Sequence, residues 1–494
     1  MDEWLDGAGI PDGAPFLIAP DGSYDVALNG YFLSVRMARL SRHTWEAAAR
    51  DLGRFLDFLW FHRPPVRAGG GERARTWRDA TAEDRRVFEF WRCRDEGGPL
   101  VAASTWEREV TTVNGFYKWA VARRHVAESP IVQRPSRARS RHGRGADGGE
   151  TPAERRPDVR RDRVSWLTPR MYRTWRDVGL RGYQPDGLPD LAFRGARVAR
   201  NTVYADTMIR TGLRLEEQSS LSLFELPQRD GFHGYYRSWL PGSIAKYESA
   251  RNIYFPDTVL RDLWTYVDID RADAVARARA AGRYDDIRDP LIIEHPTRPA
   301  VRIGQRWIGV DHLDPQQRKR LLIRTAEGLE PVDLWLGEDG MPLTLHAWKS
   351  VFRSASDRCH ALGVAVRCHP HLLRHSFAVT ALEHLQRGHL RSLGSQNAEQ
   401  RRHYQMVFGD PLDWVRRRLG HSSVETTQKY LHTLAELEME TRMALVGDGW
   451  DDPRLVRTAD IAVEVETEIE TDREADSNVG ADVGAAAELV GQSA

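Results

Sequence analysis

Tyr430 lies nine residues after His421 in the stretch LGHSSVETTQKYLH, Leu419 to His432. A tyrosine hydroxyl is a weak nucleophile at neutral pH. To attack a phosphodiester it needs a nearby base and strong stabilisation of the charge developing at phosphorus. Three earlier stretches carry groups suited to that work: TGLRLEEQSSL (Thr211–Leu221), GSIAKYESARNIYFP (Gly242–Pro256) and HPHLLRHSFA (His369–Ala378). Arg214 and Arg374 are planar, permanently charged guanidiniums that can each hold two phosphate oxygens. His371 and Arg374 are three residues apart, so on a helix they share a face. Lys246, at a hairpin tip, can reach into a groove and deliver a proton, and His421 can donate to a phosphate oxygen or assist proton transfer. Two arginines, two histidines and a lysine provide this chemistry without a metal.

Each stretch has a plainer reading. TGLR alone is a common helix-end turn, and GHSS followed by a tyrosine can be a loop and a helix. HPHLLRH offers three histidines (His369, His371, His375), but no carboxylate stands at the spacing of a zinc-protease helix. Lys246 alone reads as a solvated surface lysine. The joint order of all six residues sets this chain apart from those readings.

The elements that must position these groups are mainly helical. Residues 1–23 are rich in Gly, Pro and Asp and read as irregular. Residues 24–132 read as a helical domain. In its segment LSRHTWEAAARDLGRFLDFLWFH an apolar stripe (Trp45, Ala48, Ala49, Leu52, Phe55, Leu56, Leu59) recurs every three to four residues, after Ser41 as N-cap. Further helices are expected over Ala82–Arg92, capped by Thr81, and Ser104–Arg124, their aromatics serving the core. Residues 133–165 read as a linker, whose stretch 133–163 holds ten arginines against five acids and no apolar period. It suits a flexible tether that also crosses phosphates.

A second domain is expected over 166–450. Thr168 and Pro169 open a helix, a longer one follows over Ala192–Met208, and two strands flank Lys246 as a hairpin. Residues 257–280 read as helix, and insertions are expected near 281–345 and 386–413. The tail, 451–494, reads as acidic and disordered. The fold class is therefore mainly α with a small β-sheet: a helical N-terminal domain and an α+β C-terminal domain.

The net charge of zero conceals a division. The tail carries twelve acids against three arginines, a net of −9, which leaves +9 on the other 450 residues. A basic body suits a nucleic-acid partner. No apolar run is long enough to span a membrane, and the acidic opening MDEWLDGAGIPDG lacks the apolar core of a secretory leader. Cys93, Cys359 and Cys368 have no metal or disulfide spacing. The expected location is the cytoplasm, at the nucleoid.

The ordered set Arg214, Lys246, His371, Arg374, His421 and Tyr430 resembles the tyrosine recombinase (phage integrase) family, whose pattern is Arg…Lys…His-x-x-Arg…His…Tyr in a C-terminal catalytic domain. Gly212, Leu213, Glu217, His375 and the Leu-Gly-His frame before the tyrosine agree with it. The surround of Lys246, AKYESAR, departs from the glycine-rich hairpin usual in the family. The resemblance covers roughly residues 24–445 and implies a core-binding domain over 24–132. It further implies a site-specific recombinase that needs no cofactor. Tyr430 would form a 3′-phosphotyrosyl link, Lys246 would protonate the leaving 5′-hydroxyl, and His371 would take the tyrosine proton. The implied partners are double-stranded DNA attachment sites, a homotetramer spanning two of them, and an accessory directionality factor. The helix after Tyr430 would pack on a neighbouring protomer. Two other functions fit the residues: strand relaxation of the type IB topoisomerase kind, and an inactive DNA-binding regulator.

Overall fold

The computed structural model describes residues 13–38, 42–68, 71–135, 150–152, 164–195, 197–230, 234–295, 297–394, 410–424, 426–431 and 433, with Ile10 and Leu40 besides. Ser41, most of the expected linker, residues 395–409 and the acidic tail lie outside the described residues, as does the segment after Thr433. The chain divides into two units, 1–160 and 161–494. Among the described residues no helix is long and apolar enough to cross a membrane.

In the first unit, α1 (Val26–Asn29) and α2 (Val35–Ala38) precede three longer helices, α3 (Arg42–His62), α4 (Ala82–Cys93) and α5 (Ala103–Ala122). The stripe of α3 is buried as its spacing requires, although Leu56 is only partly covered. Phe58 widens the stripe by packing on Phe88 and Trp91. Thr81 caps α4 by accepting from the Asp84 amide. Trp106, Phe116 and Tyr117 of α5 are core residues. The loop after α3 forms a short antiparallel ladder, β1 (Val66–Ala68) with β2 (Gly71–Arg73). Within the stretch read as linker, β3 (Gln133–Pro135) pairs with β4 (Glu150–Pro152), so its described ends are paired strands.

The second unit begins with α6 (Pro169–Trp175), where Thr168 accepts from the Met171 amide and Pro169 occupies the first turn. A loop follows, then α7 (Val198–Thr211) and α8 (Leu215–Ser219). The expected helix over 192–208 thus starts later. Residues 192–195 form a turn followed by irregular backbone. The hairpin pairs β5 (Tyr235–Leu240) with β6 (Arg251–Pro256). Residues 257–280 form α9 (Asp257–Tyr266), a wider turn, and α10 (Ala272–Ala280).

The insertion near 281–345 is a small β layer. β7 (Leu291–Ile293) runs parallel to β10 (Leu321–Thr325), which pairs antiparallel with β11 (Gly328–Pro331). β8 (Ala300–Ile303) and β9 (Arg306–Gly309) form a separate hairpin. Short strand runs broken by turns hide this layer from a periodicity count. Buried arginines fasten it to the rest of the unit. Arg318, at the end of α11 (Pro315–Arg318), bonds the Glu225 carboxylate at 2.9 and 3.0 Å. Arg271 donates to the carbonyl oxygens of Pro331 and Asp333. The main core lies between α7, α9 and α12 (Leu345–Ala361), where Tyr204 stacks on Trp348 and Trp175 stacks on Phe352. Two further helices complete the unit, α13 (Pro370–Gly394) and α14 (Pro411–Leu419). The first part of the stretch read as an insertion at 386–413 therefore continues α13.

Candidate active site

Two glycines set the corners of the site. Gly212 ends α7 with φ +69, and a Cβ there would stand 2.4 Å from the Phe377 ring. Gly420 ends α14 with φ +63, and a Cβ would stand 2.9 Å from Ser249 Oγ and 3.0 Å from an Arg251 nitrogen. Only glycine meets both demands, left-handed backbone and close approach. The consequence is that three sequence-distant turns converge. Arg214 begins α8 just after Gly212, His421 follows Gly420, and the end of the Lys246 loop lies against Gly420.

Arg374, on α13, ties these turns together. It is 2% exposed, and it donates to the carbonyl oxygens of Gly212 and Leu419 and to His421 Nε2, the last at 3.3 Å. Because an arginine can only donate, His421 Nε2 must accept. Its Nδ1 therefore carries the proton and donates to Thr427 Oγ1 at 3.0 Å. Arg214 binds Glu217 at 2.7 Å. Arg251, buried at the start of β6, grips the same carboxylate at 2.6 and 3.2 Å. The cluster thus holds three guanidiniums against one carboxylate. Burial alone would raise the Glu217 carboxyl, but Arg251, Arg214 and Arg374 hold it at about 2. Burial and Arg214 push the Arg374 guanidinium down to about 9, which leaves it charged at neutral pH. A half-buried excess of positive charge is a place for an anion.

Tyr430 is 1% exposed and sits in an apolar cluster with Phe377, Leu382, Val415 and Leu419. Its hydroxyl lies 2.9 Å from His375 Nδ1. Burial pushes the phenol up to about 12, against the pull of Arg374 and Arg214. His375 is pushed down to about 3 by burial, His371 and Lys429. His421 is also pushed down to about 3, by burial, Arg374 and Arg214. His371 is more exposed and sits edge-on to His375, with ring centroids 4.3 Å apart. Burial and the Arg374 charge lower it to about 4. All three imidazoles are therefore neutral at pH 7.

Five of the six sequence-predicted residues gather here: Arg214, His371, Arg374, His421 and Tyr430. The phenol's partner is His375, however, and not His371, which the resemblance had cast as the proton acceptor. One helical turn separates the two histidines, and His375 is the one facing Tyr430. Lys246 stands apart. It is exposed on the β5–β6 loop and, among the described residues, makes no hydrogen bond or ion pair, only a contact with the Tyr247 ring at 5.1 Å. Its loop turns through two consecutive left-handed residues, Tyr247 (φ 60) and Glu248 (φ 52). The backbone takes a glycine-like path without glycine, at a cost of roughly 1–2 kcal/mol per residue.

Sequence reading missed Arg251, Lys429 and the roles of His375 and Thr427. The four-residue step from His371 to His375 was the one available signal. Arg251 lay hidden in a strand-like run. Lys429 is half-buried, with its ammonium 5.1 Å from the Tyr430 ring centre.

No family model and no curated protein matches the chain. Among solved structures it is similar to the XerA recombinase at 14% identity, over 84% of this chain and 97% of that one, with a TM-score of 0.30. It is similar to the Tn1549 transposon integrase in complex with a circular intermediate DNA at 13% identity, over 84% and 99%, with a TM-score of 0.45. It is also similar to the XerH site-specific recombinase bound to difH substrate at 13% identity, over 84% and 82%, with a TM-score of 0.42. At this level of likeness the functional reading rests on the site itself.

Proposed function

We propose that this chain is a site-specific DNA recombinase of the tyrosine recombinase type, cleaving and rejoining strands through a 3′-phosphotyrosyl intermediate. The observation that carries this reading is the Tyr430 hydroxyl held by His375 beside the Arg374–Arg214 pair. The phosphodiester enters the cationic cluster, where Arg214 and Arg374 hold its non-bridging oxygens. Tyr430 Oη attacks phosphorus and its proton passes to His375 Nδ1. The bond to the 5′-oxygen breaks, and Lys246, the exposed cation on the adjoining loop, protonates the leaving hydroxyl. His421, fixed by Thr427, donates to a phosphate oxygen from Nε2 only after taking up a proton, which the bound anion favours by offsetting the nearby guanidiniums. A 5′-hydroxyl from a partner strand reverses the sequence, so the number of phosphodiester bonds is conserved.

The DNA partners follow from the same reading: two attachment sites, four protomers and an accessory factor that sets direction, acting at the nucleoid. Tyr430 meets His375 and His421 of its own chain, which favours delivery of the nucleophile within a protomer. A duplex nicked just downstream of the cleavage point traps the covalent intermediate, because the short fragment bearing the free 5′-hydroxyl diffuses away. The proposal requires a covalent protein–DNA adduct with the wild-type chain and none with Tyr430→Phe. Relaxation of a supercoiled plasmid without exchange between two sites would place the chemistry with topoisomerases instead.

A further inference from the structure

The β8–β9 hairpin belongs to the insertion, and nothing in the cleavage chemistry uses it. Its root lies beside the catalytic loop: Ser243 Oγ, three residues before Lys246, donates to the Asp311 carbonyl oxygen at 2.7 Å. Asp311 lies in the turn Val310–His312 that β9 runs into directly. From that root the hairpin runs out to a two-residue tip, Gly304–Gln305, with Gly304 at φ +59. Four-residue strands extend roughly 13 Å, the rise of about four base pairs.

The inner side of the hairpin is apolar and committed: Val301, Ile303 and Ile308 pack into the insertion's core. The outer side is cationic and aromatic. Arg302 is paired across the ladder with Trp307, whose indole is 65% exposed. Arg298 before β8 is exposed too, as is Arg306, which the ladder pairs with Ile303 on the other face at the tip end of the hairpin. Between residues 297 and 310 there are three arginines and no acid. None of the three meets a carboxylate among the described residues, and Arg302 bonds only the Gly304 carbonyl oxygen and Gln305. Arginines at neighbouring β10 behave differently, since Arg320, just before the strand, pairs with Asp289, and Arg324, on it, with Glu294. The nearest acid, Asp311, faces His312 at 3.8 Å.

We infer that the β8–β9 hairpin is a second DNA-contacting arm, which lays Arg298, Arg302 and Arg306 on the phosphates flanking the cleavage point, with Trp307 against the groove edge. This rests on the recombinase reading, because it takes DNA as the occupant. Charge supports that occupant, since an acid-free cationic strip suits a polyanion. So does continuity, since the strip springs from the loop that must touch the scissile phosphate.

The test uses the full-length chain and a fluorescein-labelled 40-base-pair duplex of mixed sequence, titrated by anisotropy across salt concentrations. Each lost phosphate contact lowers the slope of log K against log salt by about 0.9, so Arg298→Gln/Arg302→Gln/Arg306→Gln should lower it by about 2.7. The triple lysine replacement keeps the charge and should restore most of the slope. Because all three side chains are exposed, both variants should melt like the wild type. A photo-crosslinking residue at position 307 should attach to the DNA on irradiation, whereas the same residue at Leu191, exposed on a loop of the same unit, should not. An unchanged salt slope in the glutamine variant would overturn the inference. So would a crosslink from position 307 to a second copy of the protein in place of DNA. Failure of the covalent-adduct test with intact salt dependence and crosslinking would remove the cleavage reading and leave the arm standing.

Discussion

His375→Asn is the perturbation that most sharply tests how Tyr430 loses its proton. The asparagine amide oxygen can stand where Nδ1 stands and still accept the phenol's hydrogen bond, but it has almost no basicity. Burial sets the phenol at about 12 and His375 at about 3. Full transfer before attack would then cost on the order of 12 kcal/mol, at 1.36 kcal/mol per pKa unit. The proton must therefore leave as the bond to phosphorus forms, with His375 as a general base. A positioned base contributes about 10²–10⁴-fold, or roughly 2.7–5.4 kcal/mol. Single-turnover cleavage of a nicked duplex at saturating protein should slow by that factor in His375→Asn, while DNA affinity stays within about twofold. His371→Asn should slow cleavage less, because His371 meets His375 and not the phenol. If His375→Asn cleaves within threefold of wild type while His371→Asn loses cleavage, the proton route drawn from the structure is wrong.

Two other outcomes follow from the same geometry. Lys246→Ala should lose cleavage of an ordinary substrate yet recover on a 5′-bridging phosphorothiolate, because a thiolate leaves without a proton. His375→Asn should gain no comparable rescue, and equal rescue of both variants would contradict the assignment of acid and base. Glu217 offers a stability test: its carboxyl falls from an ordinary 4.5 to about 2 in the fold. A depressed folded pKa stabilises fully above about 4.5, and this contribution is lost as pH falls toward about 2. Glu217→Gln should therefore destabilise the C-terminal unit by about 3 kcal/mol at pH 7, read as a lower urea midpoint. The gap to wild type should narrow between pH 4.5 and 2, and a pH-independent gap would show that the charge is not what matters.

Much of the site was legible because its chemistry uses residue types that are costly elsewhere. Arg214, Arg374, His421 and Tyr430 stand in order at recognisable spacings, and a helix through HPHLLRH places His371 and Arg374 on one face. The helices of the first unit were equally legible, since Trp45 to Leu59 repeat at helical period. What failed to show were interactions between distant segments. Arg251 reads as a strand residue until β6 brings it to Glu217, and Thr427 reads as a packing and turn residue until the Gly420 turn presents His421 to it. His375 follows Arg374 in every reading, but only the packing of Tyr430 onto α13 selects it over His371. The β layer of 281–345 escaped because three- to five-residue strands carry too few alternations to register a period. The buried arginines that fasten it, Arg271 and Arg318, look like surface charges until their acceptors are in place.

The central claim is that Tyr430 becomes covalently joined to a DNA 3′-phosphate. The most direct measurement is digestion of the trapped complex from a nicked duplex, followed by mass spectrometry of the nucleotide-bearing peptide. The account predicts that the residual nucleotide sits on Tyr430, in the peptide spanning QKYLH, and that Tyr430→Phe yields no adduct. A nucleotide on any other residue, or an adduct that persists in Tyr430→Phe, would contradict it.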